Sequence, residues 1–444
     1  MRRRNVVSGG AVLGSVGLVV VSISGGPAAG GVGEHGVGVV TETFVDGSRD
    51  TPRSGEVPEV PGRTLVTTTW YPADVAPGGA PVADAPPDAS GAPYPVILFS
   101  HGFSATPALY EELLSSLAAA GFLVIAPQFP LSSGGRAGPP DAADVVNQPG
   151  DISFLIDQIL DAPDDDSEPF GIVDPDAIGV AGHSNGGITT LGLIAHTCCR
   201  DDRIEAAAVL AGTPAPFPDG EYELGETPPV LVVHGDEDVQ VSYEDTVRAF
   251  NKMRGPKVHL TIEGGDHGSS ALLSTPESDA STLQTTVDFF DRYLRDDKAT
   301  IARLPDDAVP GVTEVFVATK PGSTKKIPIA PPVHYDRKAS VTPDKGLEGG
   351  QMVTVEWEGF SPGGVINIVQ CGDEKAATAG CDLTKAIILH DDPTGEGSLV
   401  LEVVEGPVGT EICDAEHPPC SIVFNDDSSQ DPDAIVRVPI RFAR

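Results

Sequence analysis

The sequence predicts an α/β domain built on a doubly wound, mostly parallel sheet, followed by a small all-β domain. Three observations predict it. From about residue 35 to 299, short β-rich runs alternate with helical patterns. Several of those runs, such as 96–100 and 230–233, are continuously apolar, which suits strands buried on both faces. After residue 340 the helical periodicity stops, and short strand-like runs are separated by Gly, Pro and Asp clusters.

The elements follow in order. Arg2, Arg3 and Arg4 form a basic start, residues 6–23 are apolar, and small residues follow to position 31. That is the anatomy of an export signal over 1–31, with a twin-arginine flavour in Arg3-Arg4; a retained membrane anchor is the alternative. Strands are expected at 37–45, 64–70, 96–100, 123–126, 178–181, 206–210, 230–233 and 258–262, and helices at 108–120, 152–160, 186–196, 243–253 and 277–295. The Pro-, Ala- and Gly-rich stretch 72–95 reads as a long loop. Residues 300–339, with recurring prolines and scattered Lys and Arg, read as a linker carrying one strand at 313–318. Strands at 352–357, 365–370, 386–389, 399–404, 420–424 and 435–442 build the second domain, 340–444.

The chain has 65 acidic and 28 basic residues, a net charge of −37. Such a surface repels phosphate backbones, which excludes nucleic-acid partners. Past the first 31 residues nothing is apolar enough to span a bilayer, so no stable membrane insertion is expected after signal removal. The six cysteines show no zinc-site spacing with interleaved histidine, and disulfides in an oxidising compartment are the simplest account. Cys198 and Cys199 are either free thiols or an adjacent-residue disulfide. Neither reads as catalytic, since no histidine or basic cluster with a clear role stands beside them in sequence.

The chemistry is concentrated at residues 178–187. An apolar strand runs into Gly182-His183-Ser184-Asn185-Gly186, and a helical pattern follows. A serine on such a sharp strand-to-helix turn is exposed at the end of a sheet, and glycines two residues either side give the turn room. A serine hydroxyl is a poor nucleophile without a base. For a nucleophile so placed the expected chain order is serine, acid, histidine, each after a later strand. The run 230–233 leads into Asp236, Glu237 and Asp238, all on one loop; the run 258–262 leads into Gly264-Gly265-Asp266-His267. His267 alone combines the right order, a following glycine and a flexible loop. His101 and His234 each end a buried strand before a glycine and read as structural. His183 sits on a strand with its side chain turned from the nucleophile, and His196 reads as a helix-end residue.

Acyl transfer develops negative charge on the carbonyl oxygen, and two backbone N–H donors would hold it. One is expected from Asn185. The other is expected from Phe103, after the strand 96–100 and the His101-Gly102 pair; its ring would line the acyl pocket, the alternative being a packed core aromatic. The loop 128–148 is expected at the pocket rim.

Residues from about 35 to 297 resemble the α/β-hydrolase branch that holds platelet-activating-factor acetylhydrolases, bacterial polyester hydrolases and dienelactone-hydrolase-like proteins. The resemblance rests on Phe99 to Phe103, on 117–127, 151–160 and 182–187, on His234 to Asp238 and on Gly264 to His267. It implies an α/β-hydrolase fold and ester hydrolysis through an acyl-enzyme, with no cofactor and no metal. It also implies Asp238 as the acid, with Asp236 the alternative. Dienelactone hydrolases carry cysteine where this chain has Ser184, and relatives often have an apolar or aromatic residue at Asn185. Residues from about 340 to 444 resemble the neocarzinostatin type, an immunoglobulin-like sandwich, through Val341-Thr342-Pro343, Gly346-Leu347 with Gly349-Gly350, and the spacing of Cys371, Cys381, Cys413 and Cys420. That resemblance implies the disulfides Cys371–Cys381 and Cys413–Cys420. Aromatic residues are few there, which implies an accessory or adhesion module rather than a chromophore carrier.

The reading that follows is a secreted serine esterase acting on a small-molecule or polymeric ester. The alternatives are a binding protein that works through the C-terminal sandwich and a hydrolase of amides or thioesters, since the same triad serves all of these acyl groups.

Overall fold

Strands with apolar side chains on both faces need helices on both faces, and that requirement organises the first two thirds of the chain. The computed structural model describes residues 33–443 apart from 55–56, 137, 164, 330–334, 363, 373–380, 383–384, 393, 409–410, 418–419 and 427–433. The export segment read in 1–31 lies outside the described residues. The elements run β1 (Gly36–Asp46), β2 (Arg63–Ala73), β3 (Val82–Ala83), β4 (Tyr94–Ser100), α1 (Glu111–Ala119), β5 (Leu123–Gln128), α2 (Gln148–Leu160), β6 (Val173–His183), α3 (Asn185–Ala195), β7 (Ile204–Leu210), β8 (Val230–Gly235), α4 (Tyr243–Lys252), β9 (Lys257–Ile262), α5 (Pro276–Leu294), α6 (Thr300–Arg303) and β10 (Thr313–Ala318).

They form one ten-stranded sheet in the order β10-β9-β8-β7-β6-β4-β5-β2-β1-β3. The six strands from β5 to β9 pair in parallel, while β2 and β10 flank them antiparallel. Side chains alternate across β4, which is buried throughout. Val96 and Leu98 pack in a core with Ile152, Ile156, Leu191 and Phe250 of α2, α3 and α4. Ile97 and Phe99 pack in a second core with Leu113, Leu117, Phe289 and Phe290 of α1 and α5. Each fully buried side chain of this size contributes about 1.5–3 kcal/mol. The strand expected at 313–318 is β10, so part of the stretch read as a linker supplies the edge of the main sheet.

Chain order reverses between β4 and β6: β5 lies on one side of β4, and β6 returns on the other. Loops leaving the carboxyl ends of β4 and β6 therefore splay apart and leave a crevice, the usual place for a ligand in an open parallel sheet. The loop after β5 is pinned beside it. Buried Arg63 binds Asp151 through both Nε and Nη2 at 2.6 Å and reaches Asp144 at 3.1 Å. Asp144 in turn accepts the Leu131 N–H at 3.2 Å. Helix ends are also satisfied: Thr275 and Ser278 form a capping box on α5, and buried Lys257 donates to the Phe250 and Met253 carbonyls that end α4.

The remaining strands are β11 (Lys338–Thr342), β12 (Lys345–Leu347), β13 (Met352–Glu358), β14 (Gly364–Cys371), β15 (Ile387–Asp392), β16 (Gly397–Glu402), β17 (Gly406–Val408), β18 (Glu411–Cys413), β19 (Cys420–Asp426) and β20 (Ile435–Phe442). They form sheets β11-β13-β16 and β12-β20-β19-β14-β15 and the small pair β17-β18. On β13 burial alternates strictly, and Val353, Val355 and Trp357 share a core with Ile366, Ile368 and Phe424 of the facing sheet. Disulfides join Cys371 to Cys381 and Cys413 to Cys420.

Candidate active site

Ser184 lies between β6 and α3 with φ 57° and ψ −118°, a conformation that L side chains avoid and that turns the hydroxyl out of the sheet. The glycines beside it are a steric necessity. A Cβ on Gly182 would sit 2.2 Å from the Gly186 carbonyl oxygen, and one on Gly186 would sit 1.9 Å from the Ser100 carbonyl oxygen. The Ser184 side is half-buried and Asn185 is buried. The elbow is pinned by the Ser184 N–H, which donates to Leu210 at 2.9 Å.

His267 donates through Nδ1 to Asp238 Oδ2 at 2.7 Å. The carboxylate is held on its other side, where Oδ1 accepts the Gln240 and Val241 N–H groups at 2.8 and 2.9 Å. Burial pushes the Asp238 carboxyl up, but hydrogen bonds and charge from His234 and His267 override it and hold the group well below the usual carboxylate range. With the proton on Nδ1, the His267 Nε2 lone pair is left to act as a base. Its ring centroid is 4.8 Å from that of His183, the residue preceding Ser184. Among the described residues no hydrogen bond joins the Ser184 hydroxyl to His267. Bonds between nucleophile and base commonly tighten only when substrate is present.

Asp236 faces elsewhere: its Oδ1 accepts the Gly264 N–H at 2.6 Å and ties the acid loop to the histidine loop. Among the described residues the N–H groups of Phe103, Asn185 and Gly186 have no hydrogen-bond acceptor, while those of Gly102, Ser104, Ser184 and Gly187 do. The Phe103 ring is 45% exposed, so it is not a packed core aromatic. The loop after β5 borders this region, with Ser104 N–H donating to Ser132 at 2.8 Å and Gly134 N–H to Ala105 at 3.0 Å. A cavity of about 770 Å³ touches the acid loop at Gln240 and Val241 and α3 at Ile188, whose N–H donates to Ser184 at 3.2 Å.

His101 bonds neighbouring backbone as a structural residue would, while His234 and His183 reach the acid loop and the histidine loop. His101 accepts the Phe129 N–H at Nε2 and donates from Nδ1 to the Gly102 carbonyl, which sews the β4 and β5 ends together; burial pushes it down to about 4, so it stays neutral. His234 is a second imidazole on the acid, with Nε2 3.0 Å from Asp238 Oδ2 and 3.1 Å from the Val241 carbonyl. His183 reaches the His267 carbonyl at 2.8 Å. The His234 partners lie four and seven residues on, along the loop that leaves its own strand, whereas the His183 partner is brought in from 84 residues away and carries no sequence signal. Of the two forms expected for Cys198 and Cys199, the structure has the adjacent-residue disulfide, with His196 Nδ1 3.0 Å from Cys198 Sγ. In that form neither sulfur is a thiolate, so the trio offers no metal site.

Residues 67–241 match the family model of the chlorophyllases, and residues 339–442 match that of the neocarzinostatin family. Macromomycin from Streptomyces macromomyceticus is 38% identical over 64 residues, which are 14% of this chain and 44% of that protein. The chain thus spans under half the length of this curated relative. A solved ferulic acid esterase from Streptomyces cinnamoneus is 25% identical with a TM-score of 0.49, over 61% of this chain and 93% of that one. At the level of reaction class the chlorophyllase match supports an ester hydrolase. Disulfides and a neocarzinostatin-like domain are typical of secreted proteins, and no helix among the described residues is long and apolar enough to cross a membrane. The chain thus carries a stretch similar to the chlorophyllases ahead of a stretch similar to the neocarzinostatin family.

Proposed function

We propose that this protein is an exported serine hydrolase that cleaves carboxylic esters through an acyl-enzyme, with Ser184 as nucleophile, His267 as base and Asp238 as the group that orients it. The observation that carries the reading is the 2.7 Å bond from His267 Nδ1 to a buried carboxylate, with the His267 ring 4.8 Å from that of His183, the residue before a serine in a positive-φ elbow. Ser184 Oγ attacks the ester carbonyl carbon while His267 Nε2 takes its proton. The carbonyl oxygen becomes an oxyanion and accepts the Phe103 and Asn185 N–H groups. Asp238 stabilises the imidazolium. The tetrahedral adduct collapses, the carbon–alkoxide bond breaks, and the leaving oxygen takes the proton from His267. Water then attacks the acyl-enzyme by the same steps, releasing the acid and free Ser184.

The test is hydrolysis of short-chain p-nitrophenyl esters by the full chain and by Ser184→Ala. The reading expects at least a thousandfold loss of kcat in the variant; an unchanged rate refutes it.

A further inference from the structure

We propose that Tyr110 and His183 are positioning residues that fix the oxyanion loop, the elbow and the histidine loop in one register; this rests on the triad reading above. Four groups from four parts of the chain form a single line of hydrogen bonds. The Gly102 N–H donates to Tyr110 Oη at 3.0 Å. Tyr110 Oη lies 3.0 Å from His183 Nδ1, and His183 Nε2 lies 2.8 Å from the His267 carbonyl oxygen.

The proton positions follow from the ends inward. A backbone N–H can only donate and a carbonyl can only accept. Tyr110 therefore accepts from Gly102 and gives its own proton to His183 Nδ1, so the imidazole proton is on Nε2 and points to His267. Only a neutral His183 satisfies every atom of the line, and burial with the neighbouring His267 pushes it down to about 4.

Each tied atom is next to a reacting group. Gly102 precedes Phe103, whose amide is the proposed oxyanion donor. His183 precedes Ser184. The carbonyl belongs to the base itself. Tyr110 and His183 are both buried, and the Tyr110 ring rests 4.8 Å from that of Phe99. A Cβ on Gly102 would come within 2.9 Å of Tyr110 Oη and 3.4 Å of Ser184 Cβ, so the line has no slack. A displacement of about 1 Å at a reacting group costs on the order of a hundredfold in rate, so loosening this line acts on kcat.

The experiment uses the full chain with p-nitrophenyl acetate, Ser184→Ala as control, and thermal melting of each variant. Tyr110→Phe keeps the packed ring and removes the hydroxyl. It is expected to lower kcat by about 10–100-fold with KM within about threefold. His183→Gln places an amide nitrogen near the former Nε2 and keeps the donor to His267, whereas His183→Asn keeps only an atom near Nδ1. The Gln variant is therefore expected to retain at least about fivefold more kcat than the Asn variant. A purely structural role lowers melting temperature without that ordering and without a kcat-selective loss. Wild-type kcat in Tyr110→Phe, equal kcat in the two His183 variants, or failure of all three to fold overturns the proposal. Full activity of Ser184→Ala instead overturns the triad reading, a separate outcome.

Discussion

Replacing Asp238 by asparagine changes one atom, and the surroundings of that atom set the size of the effect. The carboxylate accepts two backbone N–H groups on Oδ1, from Gln240 at 2.8 Å and Val241 at 2.9 Å. On Oδ2 it accepts two imidazoles, His234 at 3.0 Å and His267 at 2.7 Å. An asparagine has one acceptor and one donor end. Backbone N–H groups cannot become acceptors, so the amide oxygen must face them and the NH2 must face the histidines. His267 then keeps its bond only by moving its proton from Nδ1 to Nε2, and the lone pair that should take the serine proton is gone. A wrong histidine tautomer in this role costs about 10³–10⁴-fold in kcat, which is about 4–5.5 kcal/mol of barrier. KM should stay within about threefold, because the Asp238 side chain is fully buried against His267. The assay is steady-state hydrolysis of p-nitrophenyl acetate by Asp238→Asn, with circular dichroism to establish the fold. A folded variant that keeps more than a tenth of wild-type kcat would refute the tautomer argument.

Asp236→Asn should leave kcat within about threefold, since an amide oxygen can still accept the Gly264 N–H that Asp236 holds at 2.6 Å; a loss matching that of Asp238→Asn would exchange their roles. Gly186→Ala should be destabilised by about 3 kcal/mol or more, or yield no soluble protein, because its Cβ would sit 1.9 Å from the Ser100 carbonyl oxygen. Urea melts of both variants check this, with Gly47→Ala, which has nothing within 4 Å, as the neutral control. His259→Phe should alter the pH dependence of stability. Burial, helped by His234, pushes His259 down to about 3, whereas in the unfolded chain it takes up a proton near 6.5. The wild type therefore loses stability as pH falls below about 6.5, and the variant lacks that loss, so the difference between them should grow by about 1.4 kcal/mol per pH unit from pH 6 to 4. A difference that stays constant with pH contradicts a neutral buried His259.

The legible features were those written locally. The main-sheet strands at 96–100, 178–181 and 230–233 are short apolar runs bounded by turns, and the elbow at Ser184 is a strand, two glycines and a helix within ten residues. Asp236 and Asp238 could not be separated by pattern, since both are carboxylates on one loop; what separates them is direction, one toward a backbone N–H and the other toward an imidazole. Tyr110 and His183 are 73 residues apart, and their pairing exists only because the chain doubles back between β4 and β6. The pair β17 and β18 went unread because three-residue strands carry no usable periodicity. His196 beside Cys198 depends on the turn that closes α3, which residue type alone does not reveal.

The most direct test of the central claim is to quench the full chain with acid within its first turnovers of a p-nitrophenyl ester and map the acylated peptide by mass spectrometry. The account predicts a single acyl group, carried on the peptide that contains Ser184 and accompanied by a burst of nitrophenol. Ester hydrolysis with no acyl group on that peptide, or with the acyl group on another residue, would contradict it.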